Sequence, residues 1–247
     1  MKKSLWISAL IVLWLALVIS RIPAQWGLWL AQAPLQMDGV TGTIWSGRAA
    51  NVVLPYQDLS YSLGKLQWRL KPWSLLTLNP CVELSSELQN QLLSGEACVG
   101  LGGSAKFSNV NVQLPAQAAE LWLPVNIRGD LSFHIDQLAM SNDRVDKLQG
   151  KGSWSNARYF NSLDWINLGT IAFDFQQSPQ GGVQAQVFDI EGPVQLKLLY
   201  EFTMQGTYQL NGDVILRPTA HESIAQMLSV VADELERGHY KIEWAGS

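Results

Sequence analysis

Val125-Asn126-Ile127-Arg128-Gly129-Asp130-Leu131-Ser132-Phe133-His134-Ile135 alternates residue by residue. Val125, Ile127, Gly129, Leu131, Phe133 and Ile135 fall on one side; Asn126, Arg128, Asp130, Ser132 and His134 fall on the other. Successive side chains of an extended chain point to opposite faces, so this rhythm predicts a half-buried strand. Working outward, the same period appears at Leu59-Tyr61-Leu63, Leu66-Trp68-Leu70, Val110-Val112-Leu114, Ile171-Phe173-Phe175 and Val183-Ala185-Val187. It recurs from Tyr208 and Leu210 to Val214 and Leu216, and at Tyr240, Ile242 and Trp244. Alternation, as opposed to continuous apolar runs, implies antiparallel sheet with one face wet. Gln180-Gly181-Gly182, Asn211-Gly212-Asp213 and Leu101-Gly102-Gly103-Ser104 supply turn chemistry between or within the runs.

Composition agrees with this. Hydrophobic residues make up 47% of the 247, enough for a sizeable core, while charged residues are only 15% and Trp numbers 11. Lys2, Lys3 and Arg21 all flank the first apolar run, so the remainder holds 14 basic against 21 acidic side chains. A body of net charge −7 without clustered Lys or Arg excludes nucleic acid as a partner, because phosphate binding needs such clusters to release counterions.

Behind the two lysines, Ser4 to Ser20 is uncharged and dominated by Leu, Ile, Val, Trp and Ala. Its length is at the short end of what crosses the hydrocarbon of a bilayer, and the flanking lysines orient it by the positive-inside rule. The expectation is a cytoplasmic tip at 1–4, a transmembrane anchor at 5–21, a juxtamembrane segment at 22–39 and an exported β domain at 40–247. Trp26 and Trp29 sit where an interfacial aromatic belt would lie. The alternative is a cleaved signal peptide, with Ile22-Pro23-Ala24 as a loose processing site.

The two cysteines, Cys81 and Cys98, have 16 residues between them, in a segment expected to reach an oxidising compartment, which permits a disulfide. Closing that loop is worth roughly 3 kcal/mol through the unfolded chain. Gly95 offers a turn for a hairpin clamp; two buried free thiols are the alternative, and a metal site is disfavoured because no ligand lies at suitable spacing from either.

One segment leaves the period of two. Ile224, Met227, Leu228, Val231 and Leu235 recur at helical spacing, with Thr219 and Glu222 as a capping box and Gly238 as a C-terminal cap, predicting an amphipathic helix at 220–237. Weaker signals suggest short helices or turns at 116–123 and 161–167. An internal echo links Gly42-Thr43-Ile44-Trp45-Ser46-Gly47-Arg48-Ala49 with Gly150-Lys151-Gly152-Ser153-Trp154-Ser155-Asn156-Ala157, the tryptophans 109 residues apart. Leu63-Gly64-Lys65-Leu66-Gln67-Trp68 is matched by Leu168-Gly169-Thr170-Ile171-Ala172-Phe173 at 105. Either the chain carries two repeated β units, 40–140 and 148–247, or Gly- and Trp-rich strands coincide. The fold class expected is mainly β: one transmembrane helix, then a long, curved antiparallel meander with one amphipathic helix near its end.

The short anchor, the Gly42-to-Ala49 motif, and Trp68-Arg69-Leu70-Lys71-Pro72 with Leu75-Leu76 together resemble the N component of the bacterial type II secretion system. Leu168-Gly169, Gly206-Thr207-Tyr208-Gln209-Leu210-Asn211-Gly212 and Gly238-His239-Tyr240-Lys241-Ile242-Glu243-Trp244 are similar to that family as well. The resemblance implies a single-pass Gram-negative inner-membrane protein with a periplasmic domain, accessory to export of folded proteins across the outer membrane. Its partners would be other inner-membrane and periplasmic components of that machine, with membrane lipid met through the anchor. The disulfide rests on compartment alone.

Catalysis is not expected. His134, His221 and His239 fall on separate predicted elements; His134 and Asp136 share a strand face, as an acid and base would, but a solvated face produces the same pattern. No zinc-helix, nucleophile-elbow or phosphate-loop motif is complete, so neither cofactor nor metal is expected. A second class of function is a lipid-binding or lipid-transfer protein whose sheet forms an apolar trough. Trp45, Trp68, Trp154 and Phe173 are its candidate lining residues, or else core beneath the 220–237 helix.

Overall fold

The computed structural model describes residues 2–26, 36–56, 59–100, 102–121, 125–141 and 144–246. The chain divides into two compact units, 1–89 and 90–247. The first opens with helix α1 (Lys2–Ser20), followed by strands β1 (Gln36–Asp38), β2 (Thr41–Gly42), β3 (Ser46–Tyr56) and β4 (Leu59–Leu70), the short helix α2 (Pro72–Leu76) and β5 (Cys81–Leu88). Here β1, β3, β4 and β5 lie side by side, with β2 also on β3. Ala49, Val52 and Leu66 form the core of this unit, with Met37, Val40, Leu63 and Trp68 packed around them.

The second unit contains β6 (Gln91–Val99), β7 (Ala105–Pro115), β8 (Ile127–Ser141), β9 (Arg144–Phe160), β10 (Trp165–Gln177), β11 (Val183–Glu191), β12 (Val194–Phe202) and β13 (Tyr208–Leu216). Helix α3 (Glu222–Val231), β14 (Asp233–Glu236) and β15 (His239–Gly246) complete it. Each strand from β6 to β13 is hydrogen-bonded to the next, β15 adds to β13, and β14 folds back on β15, every pair antiparallel. Helix α3 buries Ile224 and Leu228 against Ile166, Val194, Val214, Tyr240 and Ile242.

The deciding alternation is observed in β8, whose Ile127, Gly129, Leu131, Phe133 and Ile135 share a face. Val125 precedes the strand and is exposed. The echo of Leu63–Trp68 in Leu168–Phe173 lies in two hairpins of identical register, whereas the other echo does not hold at its own offset of 109, because the register counterpart of Trp154 is Ala49 and not Trp45. Each pair of β3 and β4 from Ser46↔Arg69 to Pro55↔Ser60 reappears 105 residues later in β9 and β10, from Lys151↔Asp174 to Phe160↔Trp165. Gly47 lies beneath the ring of Trp68, and Gly152 beneath that of Phe173, where any Cβ would overlap the ring. Gly64 and Gly169, at φ +68° and +83°, sit at the matching register shifts, each pressed on a neighbouring carbonyl, Glu87 and Glu191. Positive φ without a Cβ is what such a bulge requires.

Several expectations need correction. The helix predicted for 220–237 is shorter: His221, not Thr219, caps it by accepting from the Ser223 N–H at 3.2 Å, and it ends before Ala232. Leu235 lies in β14, and Gly238 turns the β14–β15 hairpin, because Glu234 pairs with Tyr240 of a strand already fixed on β13. Residues 161–167 are a hairpin turn and the start of β10, since the Asn161 Oδ1 takes the N–H groups of Leu163 and Asp164. The short helix or turn expected at 116–123 is present as a six-residue 3-10 helix, Ala116–Leu121; residues 122–124 lie outside the described residues, as does Trp29. Gly95 is interior to β6 against Val110; the turn falls at Gln89–Asn90. Asn211-Gly212-Asp213 runs unbroken through β13, where Gly212 pairs with Leu198 and Ile242. Among the described residues no helix is long and apolar enough to cross a membrane.

If the Gly169 bulge sets the hairpin, Gly169→Ala should cost about 1–3 kcal/mol more than Gly181→Ala. Both glycines have positive φ, but only Gly169 has a carbonyl in the path of the new methyl. Denaturant midpoints of the two variants measure the difference.

Candidate interaction surfaces

Cross-strand partners share a face, so the register of the second unit reads out as rows. Leu93, Val112, Phe133, Gly152, Phe173, Val187, Leu198, Gly212 and Ile242 form one such row across nine strands. Beside it run Val110, Ile135, Gly150, Phe175, Ala185, Tyr200, Leu210 and Trp244. This face is apolar, and most of its residues from β7 to β11 are only half-buried, because α3 covers the end made by β12, β13 and β15.

The opposite face is polar. Gln137, Gln149, Gln176, Gln184, Glu201 and Gln209 lie in register across six strands. Within this ladder Gln176 Nε2 donates to Gln184 Oε1 at 2.9 Å, and Gln184 Nε2 to Glu201 Oε1 at 2.6 Å. Two open recesses sit on this face. One of about 440 Å³ includes Asp136, Lys151 and Asp174; another of about 770 Å³ includes Phe188, Lys197, Leu199, Asp213 and Lys241.

The four aromatics proposed as trough or core divide between the units. Trp68 packs on the small core of the first unit and donates Nε1 to the Thr43 carbonyl at 3.3 Å. Trp45 Nε1 bonds the Ile19 carbonyl at 2.9 Å, tying α1 to the strands. In the second unit Trp154 Nε1 reaches the Arg128 carbonyl, also at 2.9 Å, and Phe173 meets Phe133 in a tilted contact with centroids 5.3 Å apart. The core under α3 is made by other residues. Cys81 and Cys98 are both disulfide-bonded.

The histidines stay apart. His134 contacts Asn111 at 2.7 Å and Asp136 at 3.2 Å, His221 caps α3, and His239 pairs with Asp213 at 2.8 Å. Each thus has a local polar role.

Sequence reasoning missed one polar group set among apolar neighbours. Asp189, only 7% exposed at its side chain, lies opposite Ile171; its Oδ1 accepts the Leu196 N–H at 2.8 Å and its Oδ2 the Arg217 guanidinium at 2.6 Å. Arg217 also bonds the carbonyls of Gly192 and Val194, fastening the β11–β12 turn to the chain that leaves β13. Burial pushes the Asp189 carboxyl up, but the Leu196 N–H and Arg217 outweigh it and hold it below 3.8. No periodic signal marks either residue; only an acid in an apolar register position hints at a partner.

Over residues 33–243 the sequence matches the family model described as type II secretion system (T2SS), protein N. The chain belongs to the type II secretion system protein N family. Among relatives of that name, the protein from Aeromonas hydrophila is 33% identical over 169 residues, 64% of each chain. The one from Vibrio cholerae is 27% identical over 243 residues, 93% of this chain and 92% of its own. No solved structure matches.

Arg217→Ala should destabilise the domain by about 2 kcal/mol at neutral pH, since it strips a charged hydrogen bond from a buried carboxylate. A lowered folded pKa means that the ionised Asp189 contributes stability above the ordinary carboxylate range. That contribution is lost as pH falls through the lowered value. Asp189→Asn should therefore show its deficit at pH 7 and converge with the parent in acid, as followed by denaturant titration at several pH values.

Proposed function

We propose that this protein is an accessory component of the type II secretion machine, supporting export of folded proteins across the outer membrane by contacts with other inner-membrane and periplasmic parts. Family membership over 33–243 carries this reading. The broad polar face, with its amide ladder and mixed charges, supports a contact role: it offers many hydrogen-bonding side chains on a rigid ladder, and its histidines serve local pairs. On this proposal the protein is not an enzyme. The match in name and span is to a secretion component, and we adopt that over the lipid-trough reading.

Although no described helix has the length and hydropathy of a full span, residues 5–21, at the short end of what crosses the hydrocarbon, are proposed as a single anchor in the inner membrane, with the tip cytoplasmic and 40–247 periplasmic. Support comes from the 17 uncharged residues behind Lys2 and Lys3, and from α1 displaying Trp6, Leu10, Leu13 and Trp14 outward.

Deleting the gene should reduce release of secreted proteins into the medium, with restoration by the full chain. Photocrosslinkers at Gln186 or Lys197 should capture other components of the machine. Unchanged secretion together with crosslinks to lipid alone would sink the proposal. Protease added to spheroplasts should digest the β domain and spare the tip.

A further inference from the structure

The loop after β4 turns its apolar side chains outward. In Pro72–Pro80, Trp73 is 80% exposed, Leu76 76% and Leu78 61%, and α2 buries none of its residues. A floppy loop could expose such groups by accident, but this one is tightly closed. Lys71 N–H donates to Cys81 O at 2.9 Å, Ser74 Oγ donates to Lys71 O at 2.6 Å and accepts from Cys81 N–H at 2.8 Å, and Asn79 N–H donates to Ser74 O at 3.2 Å. Thr77 Oγ1 donates to Ser74 O, Asn79 Nδ2 to Thr77 O, and Pro72 and Pro80 have no N–H to satisfy. Leu78 even holds φ at +55°, a conformation that L side chains avoid. Much of the loop's backbone is thus hydrogen-bonded locally while its aromatic and aliphatic side chains point outward beside exposed Thr77 and Asn79, a mixture that suits the headgroup region of a bilayer.

The position of the loop names what lies opposite. Leu70 N–H donates to Trp45 O at 2.7 Å, Trp45 Nε1 to Ile19 O at 2.9 Å and Ile44 N–H to Ile22 O at 3.1 Å, so the last turn of α1 and the base of the loop meet at one end of the first unit without an intervening linker. At that end α1 exposes Val18 and Ile19, and Trp26 is 72% exposed. Trp14, Leu17, Val18, Ile22 and Trp26 line an apolar recess with Arg21 at its edge. Arg69 and Lys71 flank the loop, 3.9 and 3.2 Å from the Glu83 carboxylate. Aromatic and aliphatic groups rimmed by cations are what the headgroup region of an anionic bilayer accepts.

We infer that Trp73, Leu75, Leu76 and Leu78 are a second lipid contact, dipping into the leaflet surface from which α1 emerges and fixing the attitude of the first unit against the membrane. This rests on the proposal that 5–21 is an anchor. A short rigid wedge beside an anchor removes the freedom a single span leaves to swivel and tilt.

The test uses the full chain in vesicles of phosphatidylethanolamine and phosphatidylglycerol. Both native cysteines are disulfide-bonded, so Leu76→Cys and, separately, Glu87→Cys each provide one thiol for an environment-sensitive NBD dye. Glu87 lies six residues along β5 from Cys81, about 20 Å from the loop base. The inference expects the dye at 76 to be blue-shifted and quenched by lipids brominated on the acyl chain, with the dye at 87 unaffected. It is overturned, with the anchor intact, if the chain floats with vesicles while the dye at 76 reports water, or reports an apolar setting that brominated lipid does not quench. A chain that fails to float overturns both.

Discussion

Register in the antiparallel ladder is the constraint on which the rest depends. Side chains alternate with a period of two, so a slip of one residue in any strand would exchange its wet and dry faces. The two echoed hairpins show how register is held. An aromatic ring laid over a glycine of the next strand fits in one alignment only, and a positive-φ glycine at the bulge absorbs the extra residue that a uniform ladder could not. Ring over glycine and glycine at bulge recur with the same spacing in both hairpins, which is why their pairings coincide residue for residue.

From that constraint come two surfaces of opposite character. Apolar rows run across the second unit until α3 covers them at one end, while glutamines and charges line up on the reverse. Asp189 is the exception that the ladder forces into the apolar face beside Ile171, and the Arg217 guanidinium offsets the cost while closing the adjoining turn. A domain built this way presents wide, chemically distinct faces.

Elements whose signal was local were legible. The alternation in β8, β10, β11 and β15 required only the order of side chains, and the paired glycine and aromatic motifs were visible before any pairing was known. The long β9 was not, because Gly150, Gly152, Ser153 and Ser155 dilute its period; of these, Gly150 and Gly152 lie under Phe175 and Phe173 of the neighbouring strand. The overlong helix reading arose because Leu235 continues a helical spacing that pairing with β15 overrules. At Asn161 the window allowed a short helix or a turn, and its carboxamide oxygen, taking the N–H groups of Leu163 and Asp164, makes it a turn.

By itself the sequence determined the class of fold, the faces of the clearly alternating strands, the apolar character of the N-terminal run and the family, since each depends on the order of residues along the chain. Tertiary structure alone decided which strands neighbour which, where α3 stops, that Arg217 meets Asp189, and that Trp73, Leu76 and Leu78 face outward beside the end of α1. Those outcomes are set by hydrogen bonds and contacts between residues far apart in sequence, whose free energy no local window contains.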